Sequence, residues 1–133
     1  MTRVFFDTNI IAYTYDVFEP EKYKIASSLL LRDRGTISTQ VLSELTNLLF
    51  KKFHYPWSDI NSVYENLTRN LDVRIFMPST IRKAIALADR YKFQYYDSLI
   101  LAAAIESSSS VLYSEDFQDS QEIEGVRIIN PFA

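Results

Sequence analysis

The chain of 133 residues contains no cysteine. Disulfide bridges, thiolate zinc sites and cysteine nucleophiles are therefore excluded, and such an absence is typical of a reducing compartment. The sequence has a single histidine, His54. This excludes metal sites built from several histidines and disfavours histidine as a general acid or base.

Glycine and proline are also scarce, with 2 Gly and 4 Pro in the whole chain, which leaves little room for long flexible linkers. Hydrophobic residues make up 47% of the sequence and aromatic residues 14%, enough to build a core, so the composition argues against a disordered protein. The length suits one compact domain. We therefore expect a single domain over residues 1–133.

Long apolar runs are missing too, and none could span a bilayer. The segment MTRVFFDTNI lacks an apolar stretch followed by a cleavage site, so we expect a cytoplasmic protein with no membrane partner. The 17 acidic and 14 basic residues give a formal charge of −3, which argues against binding nucleic acid through bulk positive charge. Acids that surround divalent cations would make the loaded protein less negative than this sum.

Short β-type runs alternate with helical patterns along the chain. Helices are predicted after residue 9, over 21–34, 40–52, 58–71 and 80–91, and from about residue 97, with Thr8 or Asn9 capping the first and Ser58 the fourth. Residues 114–124 are predicted to form a polar loop. The alternation predicts an α/β fold with three α/β/α layers and a central, mainly parallel sheet of about five strands. The predicted strands are residues 3–6, 36–38, 73–76, 111–113 and 126–129.

Four acidic residues occupy special places in this pattern. Asp7 ends the first strand, and Asp116 lies just past the fourth. Asp97 falls in the first turn of a helix that is apolar all round, where the helix dipole favours negative charge. Glu44 flanks the apolar stripe of its helix. Because ligands of open parallel sheets bind at the carboxyl ends of the strands, we expect these four acids to meet at one edge.

Carboxylates packed together repel each other, and their pKa values rise unless a cation lies between them. Oxygen ligands suit hard ions, so Mg²⁺ or Mn²⁺ is the expected cofactor, held by the four acids. Such an ion lowers the pKa of a bound water and neutralises charge on a phosphodiester, which requires neither His nor Cys. The acidic set therefore predicts a metal-dependent nuclease.

Four motifs in this order resemble the PIN domain along essentially the whole chain. They are Asp7-Thr8-Asn9, Ser43-Glu44, Tyr96-Asp97-Ser98-Leu99-Ile100 and Ser114-Glu115-Asp116. The sequence is most similar to the single-domain PIN ribonucleases that act as VapC-type toxins of bacterial and archaeal toxin–antitoxin pairs.

This resemblance implies an endoribonuclease dependent on Mg²⁺ or Mn²⁺, with Asp7, Glu44, Asp97 and Asp116 as its catalytic and metal-binding acids. Asn9 and Ser114 would be polar supports in the site. The expected partners are an RNA substrate, a small antitoxin that blocks the site, and a second copy of the chain in a homodimer. Asp119 is an alternative to Asp116 as the last ligand.

Basic and aromatic residues near Asp97 suggest substrate contacts. Arg90 and Lys92 precede the predicted site. A charged, solvated helix face is the default interpretation of these residues, and contact with phosphate is the alternative hypothesis. At least one of Tyr95 and Tyr96 is expected to pack in the core, and the other could stack on a base.

Other classes of protein are weighed against this interpretation. A haloacid dehalogenase-type phosphatase needs a second Asp at position 9, which is Asn, and a receiver domain needs an Asp where Phe76-Met77-Pro78 stands. Two alternatives remain open: a free-standing PIN nuclease that processes RNA or cuts DNA, and a non-catalytic binding module on the same fold. The presence of all four acids favours the enzyme.

Overall fold

A computed structural model describes residues 3–133. Its six strands are short, and they lie close to the β-type runs of the sequence. They are β1 Val4–Phe6, β2 Thr36–Ser38, β3 Asp72–Arg74, β4 Val111–Tyr113, β5 Gln121–Ile123 and β6 Val126–Ile129.

Six helices connect and cover these strands. They are α1 Thr8–Tyr13, α2 Pro20–Arg32, α3 Thr39–Lys51, α4 Trp57–Asn70, α5 Pro78–Tyr91 and α6 Tyr95–Glu106. Pro20 and Pro78 open their helices, where the missing N–H of proline leaves no helical hydrogen bond unmade. The Ser38 hydroxyl caps α3 by accepting from the backbone N–H of Val41.

Two predicted helix caps were wrong. α1 is capped by Asp7, whose side chain accepts from the backbone N–H of Thr8, and not by Thr8 or Asn9. α4 begins one residue before Ser58, after an N-cap at Pro56. In both places the N-cap precedes the polar residue chosen from the sequence, so that residue lies inside the first turn.

The sheet has the strand order β3-β2-β1-β4-β6-β5. The first five of these strands are parallel, and β5 pairs antiparallel with β6. This confirms the predicted α/β class and the mainly parallel sheet, with six strands in place of about five.

The additional strand lies in residues 114–124, which were predicted to form a polar loop. Glu124 and Gly125 both have positive φ, at 49° and 85°, and they join β5 to β6 with Ile123 opposite Val126. Positive φ at both central residues matches the tight type I′ hairpin turn. The polar composition of β5 reflects its position at the sheet edge, where one side of the strand has no neighbour.

Helix α6 lies in the core, as its uniform hydrophobicity predicted. Residues 98–104 are all buried, and the helix packs against α5 and β4. Ala102 and Ala104 are fully buried, and their small side chains let neighbouring elements approach the helix closely. Among the helices of residues 3–133, none is long and apolar enough to cross a membrane.

The chain changes direction within the sheet beside β1. From β1 it moves outward through β2 to β3, then crosses back to place β4 on the other side of β1, followed by β6. In open α/β sheets such a switch point forms a crevice at the carboxyl ends of the two strands, where ligands bind. The residues that follow β1 and β4 are therefore the first to consider for a functional site.

Candidate active site

Asp7 stands at the switch point directly after β1. Its backbone N–H donates to the Tyr113 carbonyl at 3.0 Å, which ties the ends of β1 and β4 together. The side chain is only 3% exposed. Its two oxygens accept from the backbone N–H of Thr8 and from the Ser114 hydroxyl, each at 2.7 Å. Asp7 thus caps α1 and at the same time faces the crevice.

The surroundings of Asp7 favour its neutral form. Burial raises the pKa of this carboxyl to about 7, and the negative charges of Asp116 and Glu44 add to the rise. The hydrogen bonds from Ser114 and Thr8 act in the opposite direction but are too weak to cancel the effect of burial. A carboxylate at this position therefore carries an electrostatic cost that a nearby cation would remove.

Four acids from separate parts of the chain line one open pocket of about 220 Å³ at this edge. Glu44 reaches it from α3, where its Oε1 accepts from the Thr8 hydroxyl at 2.9 Å. Asp97 enters from the first turn of α6. Asp116 follows β4. The complete lining is Asp7, Thr8, Asn9, Glu44, Leu48, Tyr96, Asp97, Ile100 and Asp116.

The acids influence one another across this pocket. The pKa of Asp97 is raised, first by burial and then by the charges of Asp116 and Glu44. The pKa of Asp116 is raised by burial and by the charge of Glu115, while its bond to Asn9 lowers it. Since the pKa values of three carboxyls are raised at one place, the pocket is short of positive charge.

Asn9 and Ser114, predicted as polar supports, both contact the acids. Asn9 Nδ2 donates to Asp116 Oδ2 at 3.0 Å. The Ser114 hydroxyl donates to Asp7 and accepts from the backbone N–H of Asp116 at 3.1 Å, so it links the acid after β1 to the acid after β4. Asn9 also has a buried side-chain oxygen, Oδ1, that has no hydrogen-bond partner.

A second group of residues, missed by the sequence analysis, holds the segment after β4 from its other side. Tyr13 donates its hydroxyl to Glu115 Oε1 at 2.6 Å. Lys22 Nζ lies 3.1 Å from both the Tyr13 hydroxyl and Glu115 Oε2. The sequence offered one indication of this arrangement. In extended backbone, successive side chains point to opposite sides, so Glu115 would face away from Ser114 and Asp116.

Asp119 lies outside the pocket and is engaged elsewhere. Its Oδ1 accepts from the backbone N–H of Asn130 at 2.8 Å. The pocket lining thus contains Asp116 and not Asp119. Asp119 ties the loop before β5 to the segment after β6.

Arg90 and Lys92 also lie outside the pocket lining. The Arg90 guanidinium lies 5.2 Å from the centre of the Tyr91 ring, and Lys92 Nζ lies 3.7 Å from Asp89. Both side chains are in the exposed region where α5 ends. Their contact with a substrate stays a prediction.

The donor set suits a hard divalent cation. It consists of carboxylate oxygens together with the unpartnered Oδ1 of Asn9, and Mg²⁺ and Mn²⁺ prefer oxygen ligands. In the described part of the chain, no three Asp, Glu or His side chains are arranged to hold an ion together. Asp7, Glu44 and Asp116 each accept a hydrogen bond from a protein donor.

The chain matches the family model of the PIN domain over residues 4–121. This match covers most of the sequence and runs from β1 into β5, so the chain belongs to the PIN domain family. No curated protein matches it.

Solved structures with the same fold come from several bacteria. A toxin–antitoxin complex from Klebsiella pneumoniae is similar with a TM-score of 0.74 and 22% identity, covering 96% of this chain and 97% of the other. VapC20 from Mycobacterium tuberculosis, a sarcin-ricin loop cleaving toxin, has a TM-score of 0.71 and 16% identity over 85% and 89%. VapBC2 from Rickettsia felis, bound to a DNA fragment of its promoter, has a TM-score of 0.69 and 18% identity over 96% and 97%. At such identities the likeness establishes the fold.

Proposed function

We propose that this chain is a metal-dependent endoribonuclease and the toxin of a toxin–antitoxin pair, with residues 1–133 forming one nuclease domain. One observation carries the proposal: Asp7, Glu44, Asp97 and Asp116 line a single pocket at the switch point of a PIN-family sheet. Helix caps and solvated acids would have no reason to converge from four separate regions. The raised pKa values of Asp7, Asp97 and Asp116 add support, because perturbed acids cluster at functional sites.

The four acids and Asn9 Oδ1 would hold Mg²⁺ or Mn²⁺. When bound, such an ion activates a water molecule for attack on phosphorus and neutralises charge on the phosphodiester. Asp7 is held on two sides by Ser114 and Thr8, so its carboxylate is oriented before any ligand arrives. Glu44 and Asp116 are anchored by one neutral donor each, Thr8 and Asn9, and they would turn into the pocket at small cost.

The open shape of the pocket suits a polymer. A volume of about 220 Å³ lies below the roughly 300–1,000 Å³ of sites that enclose a whole small molecule, so the pocket would take one linkage of a longer chain. RNA is the proposed substrate on the strength of the family resemblance and of the toxin neighbours, one of which cleaves the sarcin-ricin loop.

The proposed protein partners are a small antitoxin and a second copy of the chain. Several structural neighbours are complexes of a toxin with its antitoxin. For the homodimer, the segment after β3 together with α5 presents an exposed apolar face on this chain. Ile75 is 75% exposed, Ile85 58% and Met77 55%, and patches of this kind mark interaction surfaces.

Cleavage of total cellular RNA tests the proposal. The wild-type protein is expected to cut RNA with Mn²⁺ or Mg²⁺ and to stop when EDTA is added. Asp7→Asn and Asp97→Asn should each reduce cleavage by at least about 100-fold, since each removes a ligand charge from the pocket. Single-stranded and duplex DNA serve as parallel substrates, and cutting of DNA alone would contradict the RNA assignment.

Asp119→Asn is the matched control. It removes an acid from the same loop but keeps an oxygen that accepts from the Asn130 N–H. We expect its cleavage to stay within about twofold of wild type, because Asp119 is outside the pocket lining. Cleavage that survives EDTA and the Asp7→Asn substitution would sink the metal-nuclease proposal.

A further inference from the structure

Besides Thr8 and Asn9, two chemically different groups of side chains line the acidic pocket. One consists of the four carboxylates, and the other is apolar, formed by Leu48, Tyr96 and Ile100. Tyr96 is the residue directly before Asp97, in the first turn of α6. An aromatic side chain therefore lies next to the acids, whose bound cation would contact a phosphate.

Tyr96 is 66% exposed and Tyr95 39% exposed, so the expectation that at least one of them packs in the core is wrong. The aromatic contact of Tyr96 is the edge of Tyr95, at 5.3 Å between ring centres and an interplanar angle of 66°, which leaves most of the ring open. Its backbone carbonyl accepts from Gln40 Nε2 at 3.4 Å, so α3 helps to hold the turn that presents the ring.

Tyr113 is a tyrosine that the core of this protein covers. It is 8% exposed and stacks on Phe6 with ring centres 5.7 Å apart. Tyr96 has no such cover, although burying an aromatic ring would be favourable. Tyr96 is thus a large exposed ring beside acids that would hold a cation. Such a site suits a ligand with both an anionic part and a flat apolar part.

A nucleotide combines these two parts, because its charged phosphate lies one sugar away from a base with a π-face. We propose that Tyr96 is a stacking platform for the base of an unpaired nucleotide whose phosphate would lie at the cation held by the four acids. This rests on the proposed nuclease function and deepens it. The substrate is then single-stranded or looped RNA, since the bases of an A-form duplex are stacked on one another and cannot reach the ring.

Three probes of equal length separate stacking from charge. They are a fluorescently labelled oligoadenylate, a ribose-phosphate oligomer without bases, and an RNA duplex. Each is titrated with Ca²⁺ in place of Mg²⁺ or Mn²⁺, so that the acids hold a cation, and a gel checks that the probes stay intact. The wild-type protein should bind oligoadenylate more tightly than the abasic oligomer. Tyr96→Leu should weaken oligoadenylate binding by between about 5-fold and about 150-fold and leave the other two unchanged.

Two further variants are controls. Tyr96→Phe keeps the ring and should retain wild-type affinity. Tyr64→Leu removes a tyrosine that is 48% exposed on α4 and outside the pocket lining, and it should also change nothing. Tyr96→Leu should keep the wild-type melting temperature, because the ring it removes is mostly in solvent.

Three results would overturn the stacking platform: equal wild-type affinity for the oligoadenylate and the abasic oligomer, no loss in Tyr96→Leu, or an equal loss for all three probes. The nuclease proposal is judged separately, by cleavage in Mn²⁺ and its loss in Asp7→Asn. If Asp7→Asn stops cleavage while Tyr96→Leu binds as wild type, the platform fails and the nuclease stands. If base-dependent binding is found without metal-dependent cleavage, the nuclease proposal fails instead.

Discussion

Asp7 joins three roles at one residue: it ends β1, caps α1 and lines the acidic pocket. The ionised carboxyl is favoured at a helix N-terminus, but burial and the neighbouring acids disfavour its charge. In the protein without a cation, burial and two neighbouring acids raise its pKa from 3.8 to about 7. The residue therefore links the stability of the fold to pH and to ligand binding.

Asp7 should make the melting temperature of the protein depend on pH. The folded state binds the Asp7 proton more tightly than the unfolded chain does, because the folded pKa lies above 3.8. This contribution to stability is complete below about pH 4 and is lost as the pH rises through about 7. In EDTA, the melting temperature of the wild type should therefore fall more steeply between about pH 5 and about pH 8 than that of Asp7→Asn.

Thermal melts in matched buffers measure this difference. Added Mn²⁺ should raise the wild-type melting temperature at the upper end of the range, because a cation offsets the charge of the ionised carboxyl. Parallel pH profiles for the wild type and Asp7→Asn would show that Asp7 does not titrate in this window.

Gly35 gives a prediction about packing at a single residue. A Cβ atom added there would lie 2.3 Å from Phe6 Cε2. The Phe6 ring cannot move away, since it is fully buried and stacks on Tyr113. Gly35→Ala should lower the free energy of unfolding by about 1–3 kcal/mol, as overpacked cores do.

Urea unfolding provides the measurement, and the second glycine provides the control. Gly125 has open space around it but a φ of 85°, so its role is conformational. Gly125→Asn, which tolerates positive φ, should cost less than Gly35→Ala. The reverse order would contradict the packing argument.

Among the elements, the segment that leaves β4 depends on contacts from two directions. Ser114 and Asp116 face the pocket, while Glu115 is held by Tyr13 at the end of α1 and by Lys22 on α2. Lys22 also lies over the rings of Tyr13 and Phe132, at 4.8 and 5.4 Å from their centres. Tyr13 and Lys22 thus help to set the position of Asp116 from outside the pocket lining.

Lys22→Met tests this arrangement. It keeps an apolar stem but removes the charge that holds Glu115, so Asp116 should be less well placed. We expect the Mn²⁺ affinity to fall by up to about fivefold, in line with the modest strength of a partly exposed ion pair. Isothermal titration calorimetry of the folded protein reports this affinity.

Lys24→Met, an exposed lysine on the same helix, is the matched control and should bind Mn²⁺ as the wild type does. A purely structural role of Lys22 would lower the melting temperature and leave the Mn²⁺ affinity unchanged. That outcome would rule out a positioning role for the contact.

At the scale of the whole molecule, the proposed homodimer is the property to test. The exposed apolar face of α5 and the segment before it should be covered by a second copy. Ile85→Lys places a charge on that face, and it should raise the dimer dissociation constant by at least about tenfold. Light scattering after size-exclusion chromatography, over a range of protein concentrations, measures this change.

Leu31→Lys is the control for that experiment. Leu31 is 89% exposed on α2, away from α5 in the sequence, and its replacement should not affect the dimer. A monomeric wild-type protein would contradict the proposal. So would a dimer that Leu31→Lys disrupts and Ile85→Lys does not.

Much of the fold could be predicted from local sequence. Five of the strands and the helices between them follow from hydrophobic periodicity and from turn residues, which act over a few positions. β5 was missed because its polar residues resemble a loop. The Glu124-Gly125 turn was the available signal, although Glu at the first of two positive-φ positions is not a typical turn residue.

The candidate site, like the fold, could be predicted from the sequence only in part. The sequence by itself determined the residue types, namely an acid at the end of β1, an acid at the start of α6, and an all-oxygen donor set in a chain without cysteine. These depend on the chain near each residue. The order of these residues along the chain is that of the PIN domain family.

Only the tertiary structure decided how these residues meet. Ser114 and Asp7 are 107 positions apart, and their contact exists because β4 pairs beside β1. The tertiary structure also places Asp116, and not Asp119, in the pocket lining, and it leaves Tyr96 exposed. Strand order is set by packing across the whole core, and no local pattern specifies it.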